Sequence, residues 1–209
     1  DRWGDSLVPA SLLVAAVAQR NSPALDSGED SSDELARIAD DFLRASPAYT
    51  NVILRARYTE DALRAAIADG VRQYVLLGAG FDSYILRMPP EAGDVTVIEI
   101  DHPATQSLKR RRIDECGLTL ADNVQFVAAD FATQGLGEAL ARSVFKRDEP
   151  AFFAWLGVTM YLTREANLAM LGNIAQCSVA GSQLVFSYID QKMFDAQGAT
   201  EAARFSDLE

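Results

Sequence analysis

Cysteine is scarce in this chain. Only Cys116 and Cys177 occur among 209 residues, in separate segments and without metal-ligand spacing. No disulfide framework and no metal are expected, and a reducing, cytoplasmic setting fits. Long apolar runs are also absent. No segment approaches the roughly 18–20 apolar residues that a membrane span needs, and Leu12–Ala18 is a short amphipathic stretch. Positive charge is the third shortage: 19 Lys and Arg stand against 30 Asp and Glu, a net charge of −11 with a pI near 4.6. That balance argues against a nucleic-acid partner, because phosphate binding relies on clustered cations that displace counterions. The one dense basic run, Lys109–Arg112, reads as the solvated face of a helix. The chain also starts at Asp1 rather than Met, so a longer or processed parent is expected.

What is present is an alternation of two patterns. Residues 6–20 and 33–45 have helical periodicity around a polar loop at 21–32, and Thr59–Ala68 continues it with Ala62, Leu63, Ala66 and Ile67, ending at Gly70 as a C-cap. Five short apolar runs follow, at 73–78, 95–100, 124–129, 151–157 and 182–189. Helical segments separate them: Asp82–Leu86, Pro103–Cys116, a short piece within Leu136–Val144, and Arg164–Val179 with Thr163 as N-cap. Nearly continuous apolar runs alternating with helices predict a parallel sheet buried on both faces. The expected organisation is a helical cap over 1–70 and a Rossmann-like core over 71–209.

The segments YVLLGAGFDSYILR (Tyr74–Arg87) and VTVIEIDHP (Val95–Pro103) carry the spacing of a nucleoside-binding βαβ unit. A dinucleotide site needs a third small residue and a helix N-terminus free for two phosphates. Here Asp82 and Ser83 occupy those positions. A carboxylate there disfavours pyrophosphate and suits a ligand bearing an ammonium and a sulfonium, as S-adenosylmethionine does. Glu99 and Asp101 alternate onto one side of the second strand, and either could accept the ribose hydroxyls. Asp130 and Phe131, after the third strand, could flank adenine. Tyr188 and Lys192 match the spacing of a short-chain reductase pair, but Tyr188 ends a strand where those enzymes have a helix.

Taken in order, RARYTEDAL, LLGAGFDS, VIEIDHPAT, AADF and AWLGVTMYLT resemble the leucine carboxyl methyltransferase family and its bacterial S-adenosylmethionine-dependent O-methyltransferase branch. The resemblance covers about residues 35 to 190. It implies a class I methyltransferase fold: a doubly wound, mostly parallel Rossmann-like sheet with an N-terminal helical extension; the two further edge strands that follow the fifth in the family are expected to be missing from this chain. It implies Arg57 at the methionine carboxylate, Gly78 and Gly80 in the cofactor loop, Asp101 rather than Glu99 at the ribose, and Asp130 with Phe131 at adenine. Leu156 stands where many relatives have glutamate. Tyr161, after the fourth strand, is the expected acceptor-orienting residue, and His102 is expected to be structural or near the cofactor rather than a base. The function implied is O-methyl transfer to a small molecule or a carboxylate. The alternatives are an NAD(P)-dependent reductase and a cofactor-binding protein without catalysis.

Overall fold

A computed structural model of the chain describes residues 47–190. Residues 55–189 form one compact unit, while residues 47–54 and Asp190 fall to a second. The elements are helix α1 (Pro47–Ala68), strand β1 (Gln73–Leu77), β2 (Thr96–Asp101), α2 (Pro103–Glu115), β3 (Val124–Ala128), α3 (Leu136–Ala141), β4 (Phe152–Trp155), α4 (Arg164–Gln176) and β5 (Gln183–Phe186). The strands hydrogen-bond in the order β3-β2-β1-β4-β5, and every pairing is parallel.

All five apolar runs become strands; the central β1, β2 and β4 are buried on both faces and so have no solvated side to mark with polar residues, whereas the edge strands β3 and β5 are partly exposed. One face carries Val75, Leu77, Ile98, Ile100, Val127, Phe153 and Trp155, packed with Leu136, Leu140, Met170 and Ile174 of α3 and α4. The other face begins at Tyr74, whose ring meets Tyr84 edge-on at 5.1 Å and Phe152 at 5.8 Å. Gln73, a buried polar residue at the start of β1, has its side chain satisfied by the main chain of Lys146, at 2.7 Å and 3.0 Å.

Helix ends follow their local chemistry. Gly70 takes φ +98°, and Val71 N–H returns to the Ala66 carbonyl at 2.9 Å, closing α1. Thr163 caps α4 by accepting from Ala166 N at 3.2 Å. His102 caps α2 through Nδ1, with Pro103 at the first helical position.

Three sequence expectations change. The helix expected over Thr59–Ala68 begins at Pro47, since no glycine or proline interrupts residues 48–68. Asp82–Leu86 is not an α-helix but a three-residue 3-10 turn, Tyr84–Leu86, stopped before Pro89 and Pro90. Lys109 does not lie on a solvated face: it is about 1% exposed, because the buried stripe of α2 runs through Gln106, Lys109 and Ile113. The helical stretches 6–20 and 33–45, and Lys192, lie outside the described residues.

Phe153 is fully buried at the centre of the larger core. Phe153→Ala should lower unfolding free energy by about 3–5 kcal/mol, whereas Val144→Ala, at an exposed position, should change it by less than about 0.5 kcal/mol. Urea unfolding followed by circular dichroism measures both.

Candidate ligand crevice

Strand order reverses direction between β1 and β4, so the loops leaving their C-terminal ends diverge and open a crevice. Gly78 and Gly80 leave β1 with φ +66° and +52°, a region that side chains rarely occupy. Gly78 N–H donates to the Ile100 carbonyl at 2.8 Å, and a Cβ there would lie 2.5 Å from Val158 Cγ2. The Val158 side chain, from the loop after β4, therefore packs directly on the Gly78 backbone, where a side chain would clash with it. A Cβ on Gly80 would meet nothing within 4 Å, so that side of the turn is open.

Asp101 closes the turn from β2. Its Oδ2 accepts from Gly80 N at 2.5 Å and its Oδ1 from His102 N at 2.6 Å. A carboxylate has about four acceptor sites, so capacity is left for a ligand hydroxyl. Asp130, beyond β3, accepts from Ala132 N at 2.9 Å through Oδ1, while its carbonyl takes Thr133 N and Gln134 N. Its second carboxylate oxygen has no hydrogen bond among the described residues. Phe131 is half-buried against the core.

Glu99, the other acid of β2, faces inward. Both of its oxygens lie 2.7 Å from Lys109 Nζ. Burial pushes its carboxyl up to about 7, against the opposing pull of the Lys109 ammonium. Asp82 is also committed: Oδ1 accepts from Tyr84 N at 2.8 Å, and its carbonyl accepts from Lys109 Nζ at 2.6 Å.

The two arginines of the RAR sequence part company. Positions two apart on a helix face different ways. Arg57 is 70% exposed and donates through Nε to Asp61 at 2.8 Å. Arg55 lies on the face that carries buried Thr59 and Leu63, and its guanidinium rests against Gly157, where a Cβ would sit 2.7 Å from Nη2. Gly157 (φ +69°) ends β4, and its N–H donates to Ser187 Oγ at 2.7 Å. The guanidinium therefore stands at the β4 side of the crevice, a position to which Arg57 is not brought. Sequence reading missed Arg55, yet the 55–59–63 spacing marks it.

Tyr161 is 80% exposed, in the 3-10 turn Thr159–Tyr161 that follows β4. Thr159 is buried and donates to the Ser187 carbonyl at 2.7 Å. Leu156 is half-buried just beyond β4.

The leucine carboxyl methyltransferase family model matches residues 4–175. A Bacillus subtilis (strain 168) protein named "Putative S-adenosyl-L-methionine-dependent methyltransferase YktD" is 37% identical over 148 residues, 71% of this chain and 48% of that protein. A Mycolicibacterium smegmatis protein with a similar name is 32% identical over 190 residues, 91% of this chain and 61% of that protein. The chain spans roughly half the length of the curated relatives it matches. Among solved structures, a methyltransferase described as putative, from Thermobifida fusca YX, superposes with a TM-score of 0.54 at 18% identity, over 83% of this chain and 66% of that one. An O-methyltransferase family protein from Burkholderia thailandensis gives 0.50 at 17%, over 80% and 46%. The fold they share with this chain is the doubly wound class I methyltransferase sheet.

Glu99 supplies a measurable consequence. Its folded-state value of about 7 lies above its ordinary 4.5, so between those values the native chain holds a proton that the unfolded chain has released. The stability this contributes is complete below about pH 4.5 and is lost as pH rises through about 7. Carbon-detected NMR should show one carboxyl titrating near pH 7 that disappears in Glu99→Gln; its absence from the wild-type spectrum would refute the assignment.

Proposed function

The chain belongs to the leucine carboxyl methyltransferase family, and from that membership we propose that it binds S-adenosylmethionine in the crevice and transfers the methyl group to an oxygen of a small-molecule or carboxylate acceptor. One observation carries the reading: the Gly78–Gly80 turn, open at Gly80 and tied to the Asp101 carboxylate at 2.5 Å, stands beside the Arg55 guanidinium at Gly157. The names of the relatives point to the same donor.

The donor set fits this ligand. Asp101 would accept from ribose, Asp130 with its spare oxygen would accept from the adenine amine, and Phe131 would border the base. Arg55, rather than the exposed Arg57, would pair with the methionine carboxylate. When bound, the sulfonium supplies an already activated methyl group. The chain's own work is then to align the acceptor and exclude water. A carboxylate acceptor needs no general base, and His102 offers none at the crevice, because its Nδ1 faces the Ala104 amide as a helix cap. Tyr161 presents its exposed hydroxyl after β4 and would orient the acceptor. The three-residue turn after Asp82 provides no helix N-terminus for a pyrophosphate, which weighs against a nicotinamide cofactor.

Calorimetry with S-adenosylhomocysteine should give a single binding site. Arg55→Ala and Asp101→Ala should each weaken it about tenfold or more, as expected for losing a charge-assisted hydrogen bond, while Arg57→Ala should leave it within about twofold. A wild-type chain that binds nothing would sink the reading, and an Arg57→Ala loss equal to that of Arg55→Ala would return the carboxylate contact to Arg57. Labelled methyl donor then separates the acceptors: alkali releases methanol from a carboxyl methyl ester and not from an aryl ether. Binding without transfer to any carboxylate or phenol would leave a cofactor-binding protein.

A further inference from the structure

Lys109 and Glu99 are each about 1% exposed. An ammonium has three N–H donors, and Lys109 uses them on Glu99 Oε1 and Oε2, both at 2.7 Å, and on the Asp82 carbonyl at 2.6 Å. The first two bonds neutralise a buried charge. The third differs in kind, because it leaves α2 and β2 and reaches the turn that follows β1.

That turn is closed by Asp82 N–H to the Ala79 carbonyl at 2.8 Å, and Asp82 Oδ1 then starts the next turn at Tyr84 N. Gly80, within it, is held by Asp101. Strand β2 therefore grips the turn at two points: directly at Gly80 through Asp101, and at Asp82 through the Glu99–Lys109 pair. Nothing lies within 4 Å of a Cβ at Gly80, so its open side lacks packing to hold the shape that these bonds impose. We infer that Lys109 is a positioning residue for the ligand-binding turn, acting through the Asp82 carbonyl, with Glu99 as its counter-charge rather than a ligand contact. This rests on the reading of the turn as the methyl-donor site.

The test compares the full chain as wild type, Glu99→Gln, and the double variant Glu99→Gln/Lys109→Met. Glu99→Gln keeps the bond from Nζ to Asp82. The double variant removes that bond along with both charges, and well-packed neutral replacements of buried ion pairs are commonly tolerated. With S-adenosylhomocysteine as probe, Glu99→Gln should bind within about threefold of wild type and the double variant about tenfold or more weaker. Glu99→Gln leaves a buried ammonium without its counter-charge and should melt several degrees below the double variant, so binding is compared at a temperature where both are folded. Amide exchange should accelerate at Gly80 and Tyr84 in the double variant while β1 and β4 stay protected. Equal binding by the two variants with unchanged Gly80 and Tyr84 exchange overturns the inference, and so does faster exchange across the whole sheet, which a merely structural role would give. If the wild type binds no probe, the donor reading fails by itself, and the exchange comparison still decides whether Lys109 sets the turn.

Discussion

A parallel sheet sends the C-terminal ends of all its strands to one edge, and the candidate crevice answers to that constraint. Because β1 lies between β2 and β4, the loops that follow these strands meet at that edge. Gly78, Asp101 and Gly157 sit there for no sequence-local reason. The topology gathers residues 23 and 56 positions apart into one crevice, and the side chains only have to be the right ones when they arrive. Glycine is needed where a neighbouring side chain packs directly on the backbone, as Val158 does at Gly78. Carboxylate is needed where a half-buried amide of the turn has no strand partner, as at Gly80.

The Glu99–Lys109 pair shows what holding such a crevice involves. Moving two charges out of water costs several kcal/mol per ion, and their attraction offsets this only when every donor and acceptor is met. Lys109 meets that condition with three short bonds, yet burial still raises the Glu99 carboxyl to about 7. The desolvation cost is thus the larger effect on Glu99. A pair of apolar residues would fill the same space without that cost. What apolar residues lack is a hydrogen for the half-buried Asp82 carbonyl. The charge pair brings a donor to a main-chain oxygen in the turn.

Much of this was legible in the sequence because it depends on period and spacing. Five apolar runs gave five strands, the turn glycines were visible as a Gly-Ala-Gly, and Thr163 and Gly70 announced helix ends. Two assignments turn on one point that the sequence pattern leaves open. A basic run and a pair of arginines look alike wherever they fall, and only helix phase decides which member points inward. Within Lys109–Arg112, the first residue shares the buried stripe with Gln106 and Ile113, while Arg110 stays exposed and stacks over Phe126 at 5.4 Å. Within Arg55–Arg57, the first shares its face with Thr59 and Leu63. Charge assigned the basic run to solvent and the family resemblance assigned the methionine carboxylate to Arg57, and helix phase separates the members of each group. The short turn at Tyr84–Leu86 was hidden for another reason: its end is set by Pro89 and Pro90, several residues beyond the apparent helix.

Asp82 illustrates how the same conclusion can stand on a different footing. From sequence, its carboxylate repels phosphate at a helix N-terminus. In the fold there is no such helix, and the carboxylate is occupied by the Tyr84 amide. The argument against a pyrophosphate then changes from repulsion to absence of attraction: a single 3-10 turn has neither the row of free N–H groups nor the aligned dipoles that make a helix terminus an anion site. Among the described residues, what remains at the crevice is acceptor-rich, with Asp101 and Asp130 on the β2 and β3 side and the Arg55 guanidinium at Gly157. A ligand for it must present hydroxyls and amines to one side and one small anion to the other. A methionine-bearing nucleoside has that distribution of groups, and a dinucleotide, with two phosphates between its sugars, does not.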